Sequence, residues 1–335
     1  MKKTNIILLI SVVVLLAVVV IIFLKQNSNP KKALRDFAIQ DTASVDKIFL
    51  ADKGNKTILL ERKDNYWVVN GQYKARRDLV NLFLETISLL EVKSPVPDAK
   101  LDKVLKDLSV SGVKTEIYQK GELVKTYYVG GVTPDNMGTY MIMEGSESPF
   151  ILYIPGFNGY LSVRYVTELN EWRERQIFNY RAQDIAKISV EYPGSEDDSF
   201  IIVAEDNNKY SLTDINGDEP VFLYDTFLVK EYLYRCKFVG FEAYLMDELQ
   251  QQKRDSLSKE PMISKYTIED KNGNITSFKT YFRPNLNNFR DDDGQLYDYD
   301  IDRLYGIIND EEVVLLQFYI LDPISLKKAD FAIMN

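Results

Sequence analysis

The chain has 335 residues, 45% of them hydrophobic, with 41 basic and 50 acidic side chains and a net charge of −9 at pH 7. That apolar content excludes an intrinsically disordered chain, and the length allows one large or two medium domains, each with its own core. There is no histidine and one cysteine, Cys236, which excludes Ser-His-Asp and Cys-His catalysis, histidine-based zinc sites and an intrachain disulfide.

A five-residue tail with Lys2 and Lys3 leads into Ile6–Leu24, an apolar run broken only by Ser11. At about 1.5 Å per residue, such a run is long enough to cross a bilayer as a helix that satisfies its own backbone hydrogen bonds. It ends in Phe23-Leu24-Lys25 with no small-residue cleavage site, which predicts an uncleaved signal-anchor. Basic residues flank both ends (Lys25, Lys31, Lys32 and Arg35 follow), so charge alone does not set the orientation. The short lysine tail is expected inside, which puts the bulk of the chain outside the cytoplasm, held at the cytoplasmic membrane by a single pass. Residues 25–36 are polar, contain Pro30 and read as a flexible juxtamembrane linker, whose basic groups can touch lipid headgroups. The first 35 residues hold six of the basic side chains and none of the acidic ones, so the remainder carries a net −15. A body this acidic repels phosphate backbones and argues against nucleic acid.

Beyond the linker the chain reads as two tandem copies of one α+β domain, residues 37–155 and 185–325, with a joint at 156–184 and a tail at 326–335. Each copy opens on three strands: 45–50, 57–60 and 66–69, then 185–190, 200–203 and 209–212. A helix follows, with an apolar stripe of Leu79, Leu82, Phe83, Thr86, Ile87 and Leu90 in the first copy. The second copy offers Phe227, Leu228, Tyr232, Leu233 and Cys236 at the same spacing. A second helical piece is expected at Asp98–Leu108 and at Phe241–Lys259. Four strands then close each copy. Val113–Tyr118 matches Ser264–Glu269, with turns at Lys120-Gly121 and Asn272-Gly273. Lys125–Tyr128 matches Lys279–Phe282, and 139–143 with 150–154 match 303–308 with 314–320. The predicted fold class is therefore α+β with mostly antiparallel sheets. The joint holds turn residues and a charged, helix-like stretch at Glu168–Gln176.

Several segments around the joint carry a resemblance: Gly138-Thr139-Tyr140-Met141, Pro149-Phe150, Ile154-Pro155-Gly156-Phe157-Asn158-Gly159-Tyr160-Leu161, Arg164-Tyr165 and Trp172-Arg173. Together with the Tyr-Trp-Val-Val strand and the Val129-Gly130-Gly131 turn, they resemble a family of bacterial membrane-anchored proteins called domain of unknown function 4340. The resemblance covers most of residues 37–325. It implies a single N-terminal anchor and an association with ABC transporters of the gliding-motility or auxiliary type. It carries over no catalytic residue.

Three features are candidate sites. Asp291, Asp292 and Asp293, followed by Asp298, Asp300 and Asp302, could offer hard oxygen ligands to Ca²⁺, although the EF-hand spacing is missing and a solvated hairpin loop has the same composition. Trp172, Arg173 and Arg175 could form a partner-facing patch, since Trp and Arg dominate interface hot spots, or could cap the contact between the two copies. Tyr127, Tyr128, Tyr281 and Phe282 could present an aromatic face to a glycan or peptide, or could simply pack. The glycine turns lack any nucleotide-binding spacing, so no cofactor is expected. The leading expectation is a non-enzymatic extracytoplasmic module acting by protein–protein contact, with the bilayer and a membrane or envelope protein as partners. The alternative is a ligand-binding module for a glycan, peptide or lipid with its cleft between the copies.

Overall fold

The computed structural model of the protein describes residues 34–205, 209–220 and 222–333. The predicted anchor, Ile6 to Leu24, lies outside the described residues. Among the described residues no helix is long and apolar enough to cross a membrane. The chain divides into two compact units, one ending at Glu174 and the other beginning at Arg175.

In the first unit, β1 (Val45–Ala51), β2 (Thr57–Arg62), β3 (Trp67–Val69) and β4 (Tyr73–Lys74) form a meander, followed by α1 (Arg77–Ser88) and β5 (Glu91–Pro95). Next come α2 (Asp98–Ser111), β6 (Val113–Gln119), β7 (Glu122–Val132), β8 (Thr139–Met143) and β9 (Phe150–Tyr153). The sheet order is β4-β3-β2-β1-β6-β7-β8-β9-β5, and every pairing is antiparallel. Alternation along β1, with an irregularity between Val45 and Lys47, buries Val45, Ile48 and Leu50 on one face. That face packs on Val80, Phe83 and Ile87 of α1 and on Trp172. The opposite face holds a smaller cluster, in which Val104 and Leu108 of α2 meet Tyr128, Tyr140 and Ile151. Helix α2 lies close to β7: a Cβ on Gly130 would sit 2.8 Å from the Leu108 side chain. The Lys120-Gly121 turn has positive φ at both residues, 53° and 81°, as a two-residue hairpin requires.

The start of the body is fastened to this sheet. Phe37 is buried with its ring edge-on to Tyr127 at 5.8 Å. The Lys125 ammonium donates to the carbonyls of Asp36 and Ala38, each at 2.5 Å, and pairs with the Asp36 carboxylate at 3.1 Å.

In the second unit, β10 (Gln176–Asn179) precedes β11 (Ile185–Glu191), β12 (Phe200–Ala204), β13 (Tyr210–Thr213) and α3 (Thr226–Cys236). Then come β14 (Phe238–Gly240), β15 (Ala243–Tyr244), α4 (Asp247–Leu257), β16 (Ser264–Asp270), β17 (Ile275–Pro284), β18 (Tyr299–Ile308) and β19 (Glu312–Gln317). The main sheet runs β13-β12-β11-β16-β17-β18-β19-β15, and β10 pairs with β14 separately. Helix α3 packs on one face through Val229, Tyr232, Leu233 and Cys236. On the other face Leu257 of α4 joins Tyr281, Tyr305, Ile307 and Val313. The two sheets follow the same strand order, apart from the short β4.

Several expectations are corrected. The return strands are not aligned at Lys125–Tyr128 and Lys279–Phe282. Ile117 pairs with Lys125 and Ile268 with Thr276, so Tyr127 corresponds to Phe278, and the similar tetrapeptides are three residues out of register. A shift by an odd number exchanges faces in a strand: Tyr127 and Phe278 belong to the main cores, and Tyr281 to the small one under α4. In the helical stripes Leu82 and Phe227 are exposed, and Val80 and Val229 are buried in their place. The expected helix 241–259 is shortened to α4, because 243–244 pair with β19 as an edge strand. The Glu168–Gln176 stretch makes a single helical turn, Leu169–Trp172, and then enters β10. The joint is not a separate segment: Leu161, Tyr165 and Trp172 belong to the first core, and Ile177 and Phe178 to the second. Of the expected tail at 326–335, the described part packs on the second unit, since Phe331 is fully buried against Phe200 and Tyr232. At the joint and at Phe331, large apolar side chains near an apparent boundary find more burial inside a unit than outside it.

Candidate functional site

The second unit carries an open groove between α4 and the strands β17 and β18. Two adjoining cavities of about 360 and about 140 Å³ share Lys253, Ser256 and Tyr305. The helix side is Leu249, Gln252, Lys253 and Ser256, which recur at three- and four-residue steps and so share one face. The sheet side is aromatic: Tyr305, Phe282 and Tyr299, with Pro284 beside them and Pro261 at the end of the helix.

The helix is held in place by groups facing away from the groove. The Gln250 amide nitrogen donates to the carbonyls of Leu245 and Val313, each at 2.9 Å, and its oxygen accepts from the Val313 N–H at 2.6 Å. Arg254 donates to the Glu311 carbonyl. Asp247 and Glu248 occupy the first turn, where the helix dipole favours negative charge.

The aromatic wall is pre-stacked. Phe282 and Tyr299 stack with centroids 4.3 Å apart and planes 17° apart, and they remain 42% and 47% exposed. The Lys253 ammonium sits over the Tyr305 ring, 4.7 Å from its centroid. A shift in the β17–β18 register between Phe282 and Pro284 sets Pro284 opposite Tyr299. Within that irregularity Arg283 pairs with the fully buried Asp300 carboxylate, which also accepts the backbone N–H groups of Asp302 and Arg303 at 2.9 and 3.0 Å. One buried aspartate thus fixes the strand that presents Tyr299. Arg303 forms a two-pronged pair with Glu242 at 2.7 and 3.2 Å, which raises its pKa.

The acidic hairpin above these strands does not gather into a metal centre. The Asp291 carboxylate accepts the N–H groups of Asp293 and Gln295 at 3.1 and 2.8 Å, closing the loop, while Asp292 and Asp293 are exposed. Among the described residues no three Asp, Glu or Cys side chains are placed to hold a metal ion. Asp291 closes the turn, and Asp292 and Asp293 face solvent.

The patch of Trp172, Arg173 and Arg175 is not presented as a surface either. Trp172 is fully buried, 6.0 Å from Phe83, and its indole N–H donates to the Val166 carbonyl at 2.8 Å. The buried Arg173 lies over the Tyr73 ring at 4.0 Å and donates to Asn170 at 3.1 Å. Arg175 donates to the Glu242 carbonyl at 2.7 Å. These are core and backbone-fixing contacts.

Of the four aromatics singled out on matched strands, Tyr127 and Tyr281 are buried, Tyr128 packs against α2, and Phe282 alone is substantially exposed. Sequence reasoning missed Tyr299, Tyr305 and Lys253. The available signal was the even spacing of Tyr299 and Tyr305, weak in a chain with 22 tyrosines.

The family model described as Domain of unknown function (DUF4340) matches residues 67–255, more than half of the chain. The chain belongs to this family. No curated protein and no solved structure matches it. The DUF4340 match begins at Trp67 in β3, crosses the boundary between the units and ends within α4. It therefore includes Leu249, Gln252 and Lys253 of the helical wall and stops before Ser256 and the β17–β18 strands that supply the aromatic wall. The turn between β7 and β8 in the first unit spans only 133–138, whereas β17 and β18 are joined by residues 285–298.

Proposed function

We propose that this DUF4340 protein is a non-catalytic extracytoplasmic module held at the bacterial cytoplasmic membrane by a single N-terminal helix. It acts by protein–protein contact as an accessory of an ABC transporter or envelope assembly. The observation that carries the contact reading is the groove, where exposed, pre-stacked aromatic rings face polar side chains on a fixed helix. Rigid aromatic surface costs little conformational entropy to cover and typifies the centre of recognition sites. The apolar run Ile6–Leu24, long enough to cross a bilayer as a helix, supports the membrane reading. The shared strand order of the two sheets supports their origin as tandem copies of one domain, with the longer β17–β18 hairpin as an elaboration of the second.

Crosslinking in living cells on the full-length protein, read by mass spectrometry, tests the proposal. Repeated recovery of one transporter or envelope protein is expected, and recovery of the protein alone would overturn it. Orientation is tested by Lys106→Cys on the exposed face of α2, labelled with an impermeant maleimide on intact spheroplasts. Labelling before lysis is expected; labelling only after lysis would refute the extracytoplasmic placement.

A further inference from the structure

We infer that the groove of the second unit docks an extended, proline-containing basic peptide segment of the partner protein. The inference rests on the contact reading above and gives the partner its chemistry. The groove runs along α4. Its helical wall, α4, spans 11 residues, or roughly 16 Å at 1.5 Å per residue. An extended or polyproline segment advances roughly 3.1–3.4 Å per residue, so about five residues fill it.

The lining fits such a segment. Phe282 and Tyr299 offer a flat stacked surface, and aromatic-lined grooves bind proline-rich segments because the preformed polyproline helix loses little entropy. Gln252, Ser256 and Glu260 stand along the edge with hydrogen-bonding groups for a peptide backbone.

The charged residues lining the groove, Lys253 and Glu260, offset each other, so the adjoining β17–β18 hairpin sets the balance, and it favours a basic occupant. Pro284 and Tyr299, which line the groove, are also the two ends of the β17–β18 hairpin. From Asn285 to Asp302 the chain carries six aspartates and one basic residue, Arg290. Arg290 donates to the Gly294 carbonyl within the hairpin tip, and Asp300 is buried against Arg283. Asp292, Asp293, Asp298 and Asp302 remain exposed on or beside the hairpin whose two ends line the groove, and Asp298 directly precedes Tyr299. Leu286 and Leu296 on the same hairpin are 64% and 51% exposed, which adds apolar surface for a flanking contact.

The test is fluorescence anisotropy of the full-length protein in mild detergent with a labelled Arg-Pro-Leu-Pro-Pro-Lys hexapeptide. A second peptide carries Glu at both charged positions. The basic peptide is expected to bind about tenfold or more tighter than the acidic one at low salt, with the gap narrowing at about 0.5 M salt as screening sets in. Tyr299→Ala is expected to weaken binding about fivefold or more. The surface pair Asp292→Asn and Asp293→Asn, which leaves the ring wall untouched, is expected to shrink the preference for the basic peptide. Equal binding of the two peptides, no saturable binding by about 1 mM, or displacement of the peptide by a neutral tetrasaccharide would overturn the inference. Crosslinking separates the two readings. A partner still captured through other surfaces, with no peptide binding, sinks the groove assignment alone. Peptide binding with no partner at the membrane sinks the accessory role alone.

Discussion

Tyr127 and Tyr165 form a closed hydroxyl pair in the first core. Both rings are buried, their oxygens are 3.2 Å apart, and the rings meet edge-to-face at 6.1 Å. Burial holds both phenols well above their ordinary pKa, so both are neutral, and each hydroxyl serves the other. Tyr165→Phe removes one oxygen without opening a cavity, but it strands the Tyr127 hydroxyl in an apolar site. A buried group left without its partner costs about 1–3 kcal/mol, whereas removing both partners is nearly neutral. The cycle of Tyr165→Phe, Tyr127→Phe and the double variant should therefore show each single destabilised by about 2 kcal/mol. The double should be destabilised by less than about 1 kcal/mol, for a coupling of about 3 kcal/mol. Urea denaturation followed by tryptophan fluorescence reads this directly. The chain has two tryptophans, and Trp67 and Trp172 both lie in the first core. With a slope of about 1–3 kcal/mol per molar urea, each single should lower the midpoint by roughly 1 M. Additive losses in the double variant would refute the hydroxyl-pair reasoning.

Three further outcomes follow from other parts of the structure. Gly130→Ala places a Cβ 2.8 Å from Leu108 and 3.2 Å from the Tyr140 carbonyl oxygen, whereas Gly131 has no atom within 4 Å. The first should lower stability by about 1–3 kcal/mol and Gly131→Ala should not, measured by the same fluorescence titration. Burial pushes the Cys236 thiol up to about 12, so iodoacetamide at pH 8 should leave the native protein unmodified and react only as urea opens the second unit; prompt alkylation of native protein would contradict the packing around α3. Stability should also fall at both ends of the pH scale. The Asn274 side chain and backbone N–H groups hold Asp270 below the usual carboxylate range, and Arg76 does the same for Asp78. Folded pKa values below the unfolded one mean that this stabilisation is present above about pH 4 and lost as pH falls through the folded values. Burial raises the Tyr165 and Tyr232 phenols above 10, so their contribution is present below about pH 10 and lost as pH rises further. A melting temperature flat from pH 2.5 to 11 would refute both assignments.

The division between sequence and structure in this protein follows the range of the interactions. Local pattern was enough for the strands β1, β2, β6 and β11, for the existence of α1 and α3, and for the α+β class, because two- and 3.6-residue periods are written in adjacent residues. The missing histidines and the apolar run at 6–24 are likewise properties of the sequence alone. Pairing was not legible. The tetrapeptides Lys125–Tyr128 and Lys279–Phe282 look alike, yet the pairings of Ile117 and Ile268 set them three residues apart. Strand register is decided by burial of a whole face and not by identity at four positions. The short edge strands β5 and β15 escaped notice because two to five residues carry no period; they form only where β9 and β19 offer an open edge. Exposure reversed the ranking of candidate residues. Trp172 looked like a hot spot and is core, whereas Tyr299 looked ordinary and lies open beside Phe282. Composition specified that aromatic side chains would be plentiful. Which of them the solvent can reach was decided only when α4 and the β17–β18 hairpin took their places around the sheet.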